Sequence, residues 1–120
     1  MAQHPVLPLY PERLLTDTRH MSAEEFGAYC RILFVMWSQG ARLPHDPKQL
    51  ARIAGVDGPR WRKIAGVVTR PLTIADGQVS QKRLTATWLD VQERRRKQAR
   101  RAQQRWSKPR AQLIEFKRPE

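Results

Sequence analysis

The densest chemistry in the chain is cationic. Arg94-Arg95-Arg96-Lys97 leads through Arg100 and Arg101 to Arg105 in one helix-compatible stretch. Guanidinium groups in such numbers make charge-assisted, often bidentate hydrogen bonds to phosphate. A charge run alone is more often a solvated face, but here a second basic face precedes it. Arg60, Arg62, Lys63 and Arg70 surround the helical stripe Trp61, Ile64, Ala65 and Val68. That spacing predicts a helix seated by its indole, with its cations turned outward. Arg60, Arg62 and Lys63, near the start of that helix, are placed for base edges in a major groove, where Arg can grip guanine with two hydrogen bonds. Lys82 and Arg83 follow an expected hairpin and are placed for contacts to a DNA backbone.

Over its 120 residues the chain carries 23 Lys and Arg against 11 Asp and Glu, a formal net charge of +12. That surplus favours polyanionic partners, because neutralising phosphates releases condensed counterions. The length suits one domain with extensions, not two full cores. No apolar run reaches the roughly 18 residues of a membrane span. The opening Met-Ala-Gln-His-Pro has no charged region followed by a hydrophobic one, so neither a membrane partner nor secretion is expected. Cys30 is the only cysteine, which excludes an intrachain disulfide and suits a reducing cytoplasm. It falls within an apolar helical pattern, where a small buried thiol is the ordinary role.

Enzyme signatures are missing. No glycine-rich phosphate loop ends in Gly-Lys-Ser or Gly-Lys-Thr. His4, His20, His45 and Cys30 lack the spacing of metal ligands, and Asp17 with His20 has no evident nucleophile beside it. The expectation is a protein without catalytic activity, cofactor or metal.

The elements that must position these cations follow from local signals. Residues 1–20, with Pro5, Pro8 and Pro11, predict an extended arm that packs on its own domain or on a second subunit, with at most a brief turn at Glu12–Leu15. Ser22 and Glu25 spell a capping box, with Met21 and Phe26 at the staple positions. Phe26, Tyr29, Cys30, Leu33, Met36 and Trp37 then recur at helical spacing, and Ile32, Phe34 and Val35 widen the arc into a central helix ended by Gly40. Arg42-Leu43-Pro44 reads as a short extended link. Asp46 and Pro47 open a second helix that stops at Gly55, and a third begins near Pro59. Leu72–Ala75 and Gln78–Gln81 flank Asp76-Gly77 as a two-residue hairpin whose tip, with only Asp76 and Gln78, is a poor phosphate grip. A last helix from Lys82 docks through Leu84, Trp88 and Val91, with Leu89 beside them, and continues as the basic run.

Helix, link, helix, helix, hairpin is the order of a winged helix–turn–helix. The expected fold is mainly α with a small β-hairpin and a C-terminal basic helix. Residues 1–20 form the arm, 21–91 the winged-helix-like domain, 92–106 the basic extension and 107–120 a flexible tail. Within that tail Gln112-Leu113-Ile114-Glu115-Phe116 resembles the pentapeptide by which bacterial replication proteins bind the sliding clamp, departing from it at Glu115.

An ordered set of motifs resembles the YdaU family of prophage-associated proteins. It comprises Tyr10-Pro11, Asp17-Thr18-Arg19-His20-Met21, Glu24 to Tyr29, Leu43-Pro44, Leu50 to Gly55, Trp61-Arg62-Lys63, Asp76-Gly77, Lys82-Arg83-Leu84 and Arg105-Trp106. The resemblance implies a phage or prophage origin, a bacterial host cytoplasm, a winged-helix-like domain and a link to phage DNA replication as an initiator or loader-type factor. It supplies no established functional residues. The expected partner is nucleic acid, double-stranded DNA before RNA. A homodimer through the arm or first helix and a replication protein are further expected partners. A winged-helix transcriptional regulator of the phage and an adaptor for an acidic protein are the alternatives.

Overall fold

The structure, a computed structural model, describes the backbone of residues 4–117 and the side chains of residues 4–106. Five helices and three short strands follow one another: α1 (Pro11–Asp17), α2 (Ala23–Ser38), β1 (Arg42–Pro44), α3 (Pro47–Ala54), α4 (Gly58–Val68), β2 (Thr73–Ala75), β3 (Gln78–Ser80) and α5 (Lys82–Lys117). The fold is mainly helical, with one antiparallel sheet in the order β1-β3-β2. Contacts divide the chain into two units, one ending at Trp88 and the other beginning at Leu89.

Local chemistry sets the helix starts of the first unit. The Ser22 hydroxyl accepts from the Glu25 N–H at 3.2 Å while Glu25 accepts from the Ser22 N–H at 2.7 Å, closing the capping box. Asp46 accepts from the Lys48 N–H at 3.1 Å, and Gln81 from the Leu84 N–H at 2.7 Å. Each satisfies a donor that the first helical turn would leave unpaired. At the hairpin, Asp76 (φ 53°) and Gly77 (φ 72°) both adopt positive φ, as a primed turn demands.

Around α2 the core assembles. Its Ala28, Tyr29, Ile32, Leu33, Met36 and Trp37 are buried, and α3 and α4 pack on it and on each other. Leu50, Ala51 and Ala54 come from α3, and Trp61, Ile64 and Val68 from α4. Leu43 and Val79, paired across β1 and β3, close the remaining side. Burying one large apolar side chain contributes about 1.5–3 kcal/mol, so this shared cluster dominates local propensity. Phe34, expected within the apolar arc of α2, is 48% exposed, so the covered face is narrower than the sequence implied.

Four expectations need correction. The arm is not extended over 1–20. Pro11 begins helix α1, since its fixed φ suits a first helical turn and its absent N–H would have had no partner there. The arm's start docks on its own domain: Trp37 Nε1 donates to the Pro5 carbonyl at 2.8 Å and His4 Nε2 to the Trp37 carbonyl at 2.7 Å. His4 also stacks on Trp88 at 5.2 Å, and Trp88 meets Trp37 edge-on at 5.0 Å. Arg42–Pro44 is a strand, not a link, because Arg42 and Leu43 pair with Ser80 and Val79. Leu89 is 60% exposed and lies outside the packed stripe of Leu84 and Trp88. Finally, the backbone expected to be a flexible tail from 107 is helical to Lys117, through Pro109, which local propensity disfavours there. The side chains of Gln112–Phe116 lie outside the described residues, as do residues 118–120.

Gly55 ends α3 with φ 80°, and its N–H bonds the Ala51 carbonyl at 3.0 Å. A Cβ there would lie 2.5 Å from Arg31 Nη1. The left-handed conformation costs a non-glycine residue roughly 1–2 kcal/mol. Gly55→Ala is therefore expected to lower stability by about that amount in denaturant unfolding. Adding Arg31→Ala should recover little of it, because the backbone rather than the mobile guanidinium sets the cost. Full recovery would place the cause in the side-chain clash instead.

Candidate nucleic-acid interface

Helix α4 is divided cleanly. Trp61 (4% exposed), Ile64 (3%) and Val68 (0%) are buried in the core. The opposite side exposes Pro59, Arg62, Lys63 and Gly66, with Arg70 exposed just past the helix end. The Asp57 carboxylate accepts from the Arg60 N–H at 2.7 Å and fixes where the helix starts. At the other end His20 Nε2 donates to the Val67 carbonyl at 3.3 Å. A Cβ built on Gly66 would meet nothing within 4 Å, so the outward face is open there. Among the described residues no carboxylate pairs with Arg62, Lys63 or Arg70.

Arg60 differs from its neighbours. Its guanidinium is bound by Glu24 in the first turn of α2, with Nε donating to both carboxylate oxygens at 2.9 Å and Nη2 donating to Oε1. Its guanidinium is therefore engaged within the chain, not wholly free for the base-edge contact that the sequence suggested. The hydrogen bond from Arg60 holds the Glu24 carboxyl below the usual carboxylate range, and the same bond raises Arg60. A depressed acid pKa means that the pair is intact above the ordinary carboxylate range and is lost only as pH falls through the lowered value.

Arg83 is likewise engaged, paired with Asp17 at the end of α1. Lys82 beside it is exposed and unpaired among the described residues. Neither carboxylate partner carried a local sequence signal, since Glu24 lies 36 positions from Arg60 and Asp17 lies 66 from Arg83. The sequence pattern also gave no hint of Arg31 in α2, which is exposed and adjacent to the αL residue that ends α3. Its positive charge at a helix C-terminus complements the helix dipole.

In the second unit α5 is exposed from Arg94 through Trp106. Arg94 pairs with Asp90 at 2.9 Å and Arg96 with Glu93 at 3.1 Å, both solvent-facing pairs within the helix. Such exposed pairs contribute little stability. Lys97, Arg101 and Arg105 recur every four residues on one side, with Arg100 beside them, and no described carboxylate pairs with these four. Arg95 makes an interaction of its own. Trp106 at the end of this stretch is 77% exposed.

Cys30 is half-buried, and burial pushes its thiol pKa up, away from the reactive thiolate. No group of three or more His, Cys, Asp or Glu among the described residues could hold a metal ion. Among the described residues no helix is long and apolar enough to cross a membrane.

Comparison with known proteins follows the first unit closely. Over 64 residues the chain is 41% identical to "Uncharacterized protein YdaU" of Escherichia coli (strain K12). That match takes in 53% of this chain but only 22% of the relative, so most of the relative has no counterpart here. No solved structure matches the chain. Residues 5–88 match the family model described as "Protein of unknown function (DUF1376)", which ends at the same residue as the first compact unit. The chain belongs to the DUF1376 family, to which its likeness to YdaU also points.

Proposed function

We propose that the chain is a winged-helix-type protein that binds duplex DNA, with α4 in the major groove and the cations of α5 on phosphates. The observation that carries this is the division of α4. Two exposed cations without described carboxylate partners, Arg62 and Lys63, lie opposite a face anchored by Trp61, Ile64 and Val68, and Arg70 follows just past the helix end. A groove-reading helix needs both halves: apolar residues to seat it and donors for phosphates and base edges. The element order supports the fold assignment. A strand lies between the first two core helices, a tight turn joins α3 to α4, and the β2–β3 hairpin pairs back onto β1.

The α5 cations add affinity of a different kind. Their spacing tracks phosphates without reading bases, so their contribution is sequence-independent and salt-sensitive. The resemblance to prophage-associated proteins sets the biological context of the proposal. In that context the chain is a replication-associated initiator or loader-type factor in a bacterial host.

Fluorescence-anisotropy titrations against duplex DNA, single-stranded DNA and RNA at several salt concentrations test the proposal. Neutralising about six phosphates gives a slope near −5 in log K against log salt. The Arg62→Ala/Lys63→Ala variant is expected to bind duplex more weakly, with the slope reduced by about 1 for each phosphate no longer neutralised. Undiminished binding by that variant would remove α4 from the interface. Absence of affinity for any nucleic acid would turn the cationic surface toward an acidic protein. In the same assay, replacing Lys97, Arg101 and Arg105 with Gln is expected to weaken binding to all duplex sequences alike, because these residues track phosphates. Thermal stability should be unchanged, since all three side chains are exposed. A sequence-selective loss would speak against that assignment.

A further inference from the structure

Among the described residues, Arg60 is the one cation of α4 whose side chain a carboxylate holds. Asp57 bonds its backbone N–H, and Glu24 grips its side chain. The gripping carboxylate occupies a single side of the guanidinium, the edge formed by Nε and Nη2. A guanidinium has five N–H donors in a rigid plane, so this leaves the end-on edge, with one N–H on each Nη, for another planar acceptor pair. Guanine offers such a pair in the major groove as O6 and N7, whereas adenine puts a donor beside its N7.

A phosphate suits this arginine less well. Bringing phosphate to Arg60 sets it beside the negative charge of Glu24, while guanine is neutral and tolerates that neighbour. Anchoring the guanidinium before binding also removes part of the rotamer entropy that a free arginine loses when it engages a ligand. Glu24 is itself well placed for the task, in the first turn of a helix whose start is closed by the Ser22–Glu25 capping box.

We infer that Arg60 selects guanine through the guanidinium edge that Glu24 leaves open, and that Glu24 is the positioning residue for this choice. The inference rests on α4 lying in the major groove, as proposed above. It goes further by assigning the guanine contact to Arg60 alone and its positioning to Glu24.

The test starts by selecting duplexes from a randomised pool with the full chain, then comparing the selected site with variants at its guanine and with a random duplex. The wild type is expected to prefer guanine at one position by roughly tenfold or more. Glu24→Gln should bring that preference close to one while binding the random duplex more tightly, because a negative charge near the phosphates is gone. Arg60→Lys keeps the charge but lacks the fork, so it should keep random-duplex affinity and lose the preference. The double variant should discriminate no worse than Arg60→Lys alone. An unchanged thermal midpoint for Glu24→Gln would exclude a general folding defect, which would weaken both kinds of binding together. If the preference survives in Glu24→Gln or in Arg60→Lys, or if the wild type binds duplex with no base preference, the inference is overturned and the α4 interface stands. If the wild type does not bind duplex at all, the proposed function itself falls.

Discussion

Burial of one face of α4 is the constraint from which the rest follows. Trp61, Ile64 and Val68 enter the core against α2 and α3, and removing an indole from such a site costs about 3–5 kcal/mol. A helix seated at those positions has no freedom to rotate about its axis. Arg62, Lys63 and Gly66 must then face solvent, whatever their own preferences. The outward chemistry of this helix is thus a consequence of its inward packing. The Asp57 cap and the His20 bond to Val67 fix its two ends on the same frame.

The few carboxylates of the chain are used selectively. Glu24 and Asp17 bind Arg60 and Arg83, each from a different element, while Asp90 and Glu93 pair with Arg94 and Arg96 along α5. The net charge of +12 survives as a surplus in the remaining cations. Uncompensated charge destabilises a compact state through self-repulsion, and a polyanion relieves it. Two kinds of pairing result: Arg60 and Arg83 are held by carboxylates from other elements, while Arg94 and Arg96 make exposed pairs within their own helix.

Much of the architecture was legible because its signals are local. The Ser22–Glu25 box, the Asp46-Pro47 start, the Gly55 stop and the Asp-Gly turn each act within a few residues, and each is found where the sequence indicated. The buried stripe of α4 was readable from its helical period at Trp61, Ile64 and Val68, while Ala65, expected with them, is only partly covered. What escaped depends on distant partners. Three residues, Arg42 to Pro44, are too few to show a strand period, and they become a strand only by pairing with β3. Pro11 read as part of an extended arm because three prolines at equal spacing hide the one that starts a helix. The Glu24–Arg60 pair joins two helices across the core surface, and no sequence spacing encodes it.

If the outward face of α4 is the surface that meets DNA, its backbone amides must sense the duplex. Mapping amide chemical-shift changes on adding a short duplex to the full chain is the most direct check. Shifts and line broadening are expected over residues 60–70, strongest at Arg62, Lys63 and Gly66. Changes confined to residues beyond Trp88, with those of α4 unmoved, would show that DNA is met elsewhere.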